Sequence, residues 1–188
     1  MSQSKLPPTI ILDSCVLINL LAGEAIEEIL RATGKECQIC VVVEKESFFL
    51  RTESPREEAF EPVELDALIE SGVLQRCNVA GDQEIALYVD YASRLDDGEA
   101  MSLAIAESRG YIFATDDRKA RRIFLESIRD SGRLLSTSDL IRNWTDHRSI
   151  SPARLQSVLI KIQNRANFFP PRNDPNISWW KNACGDSK

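Results

Sequence analysis

Apolar positions along this chain fall into two alternating patterns. Short, mostly apolar runs occur at Ile10-Ile11-Leu12, Gln38 to Val43 and Tyr111 to Ala114. Such runs read as buried strands of a parallel sheet, because both faces of the strand are covered. Val73 to Val79 and Arg133 to Ser136 read as further short strands. Between them, apolar residues recur at helical spacing: Val16 to Leu21 with only Asn19 interrupting, Ile26, Ile29 and Leu30, then Ile85, Leu87, Tyr88 and Tyr91. Helices are expected over Glu44 to Arg51, Leu65 to Ser71, Asp82 to Arg94, Glu99 to Ala106, Arg118 to Ile128 and Ser138 to His147. The punctuation agrees: Gly34, Gly72 and Gly110 close helices, Asp82 caps one, and Gly98 breaks one helix so that Glu99 opens the next. Strands alternating with helices predict a three-layer α/β/α fold with a central parallel sheet.

The rhythm changes in two places. Thr52 to Glu61, rich in glutamate, reads as an acidic surface loop. Beyond Ser149, Ser151 caps a helix with Pro152 in its first position. Leu155, Val158, Leu159, Ile162 and Ala166 form its apolar stripe, and an irregular tail with Trp179-Trp180 follows. The expected organisation is one domain over 1–149 and a C-terminal helical extension over 150–188, packed on it. The first residues, Met1 to Pro8, lack the apolar segment of a signal peptide, and no run approaches a membrane span. A cytoplasmic protein without membrane contact is expected.

The chain has 188 residues and a formal charge of −6. The charge is unevenly spread: residues 1–117 carry −14 and residues 118–188 carry +8. One half is suited to holding cations and the other to attracting phosphates, unless folding mixes the two. There are 5 cysteines, an odd count that suits reduced thiols. Cys37 and Cys40 form a CxxC, but residues three apart on a strand face opposite ways, so the pair is poorly placed to share an ion.

Several chemistries are excluded. A single histidine, His147, leaves little room for Ser-His-Asp or Cys-His catalysis. No glycine-rich phosphate loop is present. Asp13-Ser14-Cys15 also lacks the second aspartate of a haloacid-dehalogenase phosphatase. Carboxylates remain. Asp13, Glu44 or Glu46, Glu99, and Asp116 with Asp117 all fall at strand ends or first helical turns. In a parallel sheet these positions share one edge, where ligands bind. Helix capping also accounts for acids there: Asp13 before Ser14, and Asp96 with Glu99 as a capping box. Gathered like charges, however, call for a hard divalent cation such as Mg²⁺ or Mn²⁺.

Four segments carry a resemblance: Leu12-Asp-Ser-Cys-Val-Leu-Ile-Asn-Leu20, Val43-Glu-Lys-Glu46, Asp97-Gly-Glu-Ala-Met-Ser-Leu-Ala-Ile-Ala106 and Ala114-Thr-Asp-Asp-Arg-Lys-Ala-Arg121. In this order they resemble the PIN domain family of metal-dependent ribonucleases, which includes toxins of bacterial toxin–antitoxin pairs. The likeness covers roughly residues 9–147. It implies Asp13, Glu46, Glu99, Asp116 and Asp117 as catalytic acids. Asp13, Glu99, Asp116 and Asp117 would be the metal ligands, with Asp116 and Asp117 left as alternatives. Ser14 and Thr115 would orient them. The implied cofactor is Mg²⁺ or Mn²⁺ and the implied substrate is RNA, with a cognate antitoxin and a homodimer as the implied partners. Arg118, Lys119, Arg121 and Arg122 are the expected RNA contacts. A catalytically silent PIN-like module that binds RNA or protein is the alternative. The loop at 52–66 and the extension depart from the family's compact toxins.

Overall fold

The computed structural model describes residues 9–46, 48–52 and 60–185. In chain order the strands are β1 (Ile10–Leu12), β2 (Cys37–Cys40), β3 (Phe48–Arg51), β4 (Phe60–Val63), β5 (Gln75–Cys77), β6 (Ile112–Ala114) and β7 (Leu134–Leu135). The helices are α1 (Ser14–Ala22), α2 (Ile26–Ala32), α3 (Val41–Glu44), α4 (Asp66–Glu70), α5 (Gly81–Ala92), α6 (Asp97–Arg109), α7 (Arg118–Ser127), α8 (Thr137–His147), α9 (Pro152–Arg165) and α10 (Ile177–Cys184). Five strands form one parallel sheet in the order β5-β2-β1-β6-β7. Helices flank it, giving the expected three-layer α/β/α fold with further helices at the C-terminal end.

The most apolar strand is the central one, as burial demands: Ile10, Ile11 and Leu12 are all fully buried. Its register with β6 pairs Ile10 with Ile112 and Leu12 with Ala114. The next residues, Asp13 and Thr115, therefore emerge side by side at the carboxyl edge. α6 lies on β1, β2 and β6. Ala100, Ala104 and Ala106 on that helix are completely buried and small enough for close approach. Gly110 then ends the helix in the left-handed conformation, φ 71°, which only glycine adopts without penalty.

Three expected elements take another form. The strand expected over Gln38 to Val43 stops at Cys40, and Val41–Glu44 is a helical turn. Val43 is buried there and its amide donates to Cys40 Sγ, so tertiary packing overrides the β preference of valine. Within the helix expected over Glu44 to Arg51, Glu44 ends α3 and Phe48–Arg51 is the strand β3. Phe48 and Leu50 face inward while Phe49 and Arg51 face out, a period of two that the charged residues before it obscured. β3 pairs antiparallel with β4, so Phe60 to Val63 is strand where the acidic loop was expected. The rest of that loop, 53–59, lies outside the described residues. Gly98 does not break a helix. It sits in the first turn of α6, whose N-cap is Asp96. Nor is Asp82 a cap, since α5 begins at Gly81 after Ala80.

The extension is built into the fold. Val158, Leu159 and Ile162 of α9 are fully buried, and the helix packs on α1. The approach is close: a Cβ at Gly23 would lie 3.0 Å from Val158 Cγ1. The tail, expected to be irregular, ends in α10, whose Trp180 is fully buried beside Phe168, Phe169 and Trp179. Ser138 Oγ donates to the Asp174 carboxylate at 2.9 Å, and Asn176 Nδ2 donates to Asp139 Oδ1 at 2.8 Å. Cys15, Cys37, Cys40 and Cys77 are free thiols. Cys37 lies near Thr33 and Cys40 near Ser102, in separate surroundings. Among the described residues no helix is long and apolar enough to cross a membrane.

Truncating a fully buried tryptophan costs about 3–5 kcal/mol. Trp180→Ala should therefore destabilise the whole chain by that order, read as a lower urea midpoint. A loss under about 1 kcal/mol would mean that the tail is an appendage rather than part of the core.

Candidate functional site

Asp13 follows the end of β1 and is 1 % exposed. Its Oδ1 accepts from the Ser14 amide at 2.8 Å. Its Oδ2 accepts from Thr115 Oγ1 at 2.7 Å and from the Cys15 thiol at 3.1 Å. No ion pair reaches it among the described residues. Burial pushes its carboxyl pKa up, and the Asp117 charge adds to that; the three donors pull it down. The sequence places these donors directly: two are the next residues along, and Thr115 is the register neighbour on β6.

The other acids arrive from separate elements. Glu99, in the first turn of α6, has its carboxyl pushed up to about 7 by burial and by the charges of Asp13, Asp117 and Asp96. Glu46 follows α3 at the rim. Burial raises its pKa, a hydrogen bond from Ser14 lowers it, and Asp13 and Asp96 raise it further. Gly98 makes room for it: a Cβ there would strike the Glu46 carboxylate and lie 3.1 Å from Val43 Cγ2. Asp117 caps α7, its Oδ1 accepting from the Lys119 and Ala120 amides at 2.8 and 2.7 Å. Electrostatic coupling thus links Asp13, Glu46, Glu99 and Asp117, and none of the four has a salt bridge among the described residues.

The two alternatives left open by the sequence separate here. Glu44 pairs with Arg76 at 2.6 Å, which turns it away from this group and leaves Glu46. Asp116 is held by the Thr137 amide, the Thr137 hydroxyl and Asn19 Nδ2. Both its oxygens are occupied, which ties β6 to α8 and α1. Burial still pushes its pKa up. Asp117 is the member of the pair that acts electrostatically on Asp13 and Glu99. Thr115 bridges the set, donating to Asp13 while accepting from the Asp117 amide at 3.1 Å.

A pocket of about 470 Å³ opens at this edge. Cys15, Asn19, Glu99 and Asp117 line it together with Phe168, Phe169 and Pro171 of the extension. Asp116 and Arg118 link it to a larger groove of about 1020 Å³ along α7, lined by Arg121, Arg122 and Arg172. Arg121 is partly spent on structure, since its Nη1 donates to the Thr115 and Leu135 carbonyls at 2.8 and 2.9 Å. Lys119 is exposed and lines neither cavity.

Three contributors carried a signal that was not used. Cys15 and Asn19 stand four apart on α1 and so share a helix face; both reach β6. The Cys15 thiol is pushed far up by burial and by Asp13 and Asp116, so it serves as a donor to Asp13. Asp96 makes no capping hydrogen bond with its side chain, and its charge is left to act on Glu46 and Glu99. Arg172 had no sequence signal pointing to this site.

The donor chemistry suits a hard cation, because the uncompensated groups are carboxylates. They are neighbours rather than a finished cage: among the described residues, no group of three or more His, Cys, Asp or Glu side chains is arranged to hold a metal ion. Comparison with known proteins found no matching family model, no matching curated relative and no matching solved structure.

Raised carboxyl pKa values fix the sign of a pH effect. Asp13, Glu46, Glu99 and Asp116 bind protons more tightly folded than unfolded, so their contribution is full at low pH and is lost as pH rises through the folded values. Glu24 and Glu84 are held low by Lys161 and Arg109, and they act only on the acid side of this window. Without divalent ions, the melting temperature should rise as pH falls from about 8 to about 5.5. Glu99→Gln should flatten that rise and raise the melting temperature near neutral pH. An unchanged slope in Glu99→Gln would show that the Glu99 carboxyl does not titrate in this window.

Proposed function

We propose that this chain is a PIN-like, Mg²⁺- or Mn²⁺-dependent ribonuclease that hydrolyses RNA phosphodiester bonds. The observation that carries the reading is the gathering of Asp13, Glu46, Glu99 and Asp117 at one sheet edge, with no salt bridge to any of the four among the described residues. A site that costs stability when empty is favoured where function requires the charge. The basic groove running from this edge suits a polyanionic substrate.

Asp13, Glu99 and Asp117 are the residues that would hold the ion, with Glu46 at the rim. A bound Mg²⁺ or Mn²⁺ would lower the pKa of water and offset charge on the scissile phosphate. The chain's own residues supply position. Thr115 and Ser14 fix the two Asp13 oxygens, and Thr115 also holds the Asp117 backbone. Asp116 acts one step further out, anchoring β6 through Thr137 and Asn19. Arg118 stands where the pocket meets the groove and would meet the phosphates flanking the cleaved bond. As the toxin of a toxin–antitoxin pair, the protein would be silenced by a partner occupying this pocket, and it would be free to act as a homodimer.

A second reading, a silent PIN-like module binding RNA or protein, is favoured by two observations: Asp13 is sealed by three donors, and among the described residues no three acids stand ready around one point.

Labelled single-stranded RNA incubated with Mg²⁺ or Mn²⁺ should be cut, and EDTA should stop the reaction. Asp13→Asn, Glu99→Gln and Asp117→Asn should each lower the rate about a hundredfold or more. Thr115→Val should lower it about 10- to 100-fold, the scale of losing a group that orients a metal ligand. Retention of RNA without cleavage under either metal would select the silent module. Equal cleavage by wild type and Asp13→Asn would place the chemistry elsewhere.

A further inference from the structure

The extension supplies one wall of both cavities at the acidic edge, and the ribonuclease reading assigns it no part. Arg172 lines the larger groove together with Arg118 and Arg122. No acid lies within ion-pair distance of Arg118 or Arg172 among the described residues. Arg122 has only Glu126, at 3.8 Å. The acids lining this groove, Asp116 and Glu126, are outnumbered by its arginines. Phe169 lines the smaller pocket beside Glu99 and Asp117, stays 41 % exposed, and is braced edge-on by Trp180 at 6.4 Å.

Cations in excess of acids along a groove, leading to an exposed braced ring, are what a single strand of nucleic acid needs. Cations track the phosphates and the ring stacks a base. A duplex keeps its bases stacked inside and offers none to such a ring. We propose that residues 168–173 are a strand-positioning wall. Single-stranded RNA lies between α7 and this segment, its phosphates on Arg118, Arg122 and Arg172, and a base on Phe169 next to the acids. The inference rests on the ribonuclease reading for the choice of RNA but is separable from it, because binding can be measured without cleavage.

The test uses the full chain carrying Asp117→Asn, in Mg²⁺, with a labelled single-stranded RNA of about 12 nucleotides, a length within the usual site sizes of such grooves. Fluorescence anisotropy reads the affinity. Phe169→Ala and Arg172→Ala should each weaken binding about tenfold. Arg172→Ala should also flatten the slope of log affinity against log salt by about 0.7, the value of one phosphate contact on a single strand. Arg148→Ala, outside the groove, should leave both unchanged. A duplex of the same sequence should bind more weakly than the single strand. Far-ultraviolet circular dichroism and the urea midpoint check that each variant is folded.

Affinities within twofold of the parent for both Phe169→Ala and Arg172→Ala overturn the proposal. So does a parent that fails to bind, or a duplex that binds as tightly. If binding depends on Arg172 and Phe169 while the wild type cuts no RNA under either metal, the wall stands and the ribonuclease reading falls. If the wild type cuts RNA and the two variants bind like the parent, the reverse holds.

Discussion

The hydrogen bond from Thr115 Oγ1 to Asp13 Oδ2 joins the ends of two adjacent central strands whose residues lie 102 positions apart. Its weight comes from burial. A sealed carboxylate without a cation must be satisfied by donors or give up its charge by taking a proton. Thr115, Cys15 and the Ser14 amide provide them, and the Thr115 bond exists only because β1 and β6 are in register. The same register sets Asp117 beside Asp13, because the Thr115 hydroxyl also holds the Asp117 amide. Strand pairing, satisfaction of a buried charge and the gathering of the acids are thus one event seen at three scales.

Much of this was legible in the sequence where a single physical signal dominated. Ile10-Ile11-Leu12 and Ile112-Phe113-Ala114 could only be buried strands, and acids directly after them had to lie at the sheet's carboxyl edge. The Ser151-Pro152 start of α9 was equally plain. Signals in competition were misread. Val41-Val42-Val43 favours strand locally, yet the chain must turn there to bring Glu46 over the edge. Phe48 to Arg51 has a period of two over only four residues, too short to stand against the acidic, helix-like stretch before it. Gly98 looked like a breaker because its reason lies in space: the Glu46 carboxylate occupies the position of its missing side chain.

Glu44 and Glu46, and likewise Asp116 and Asp117, differ in partners remote in sequence. Arg76 claims Glu44, and Asn19 with Thr137 claims Asp116. Neither partnership leaves a local trace. The division of charge between the halves proved both real and partial. Arg118, Arg122 and Arg172 from the basic half line the groove. Arg154, Lys161 and Arg165 from the same half are spent on Glu24, Glu28 and Glu61 of the acidic half.

The strand order has a further consequence. β1 lies between β2 and β6, so the sheet cannot close until a segment about a hundred residues downstream arrives to complete it. Distant closure of this kind is entropically costly and slow. While a ribosome is still extending the chain past β2 and β5, Asp13 therefore has no Thr115 beside it, and Asp117 has not yet been made. The nascent polypeptide carries the acids one by one and assembles them only near the end of folding.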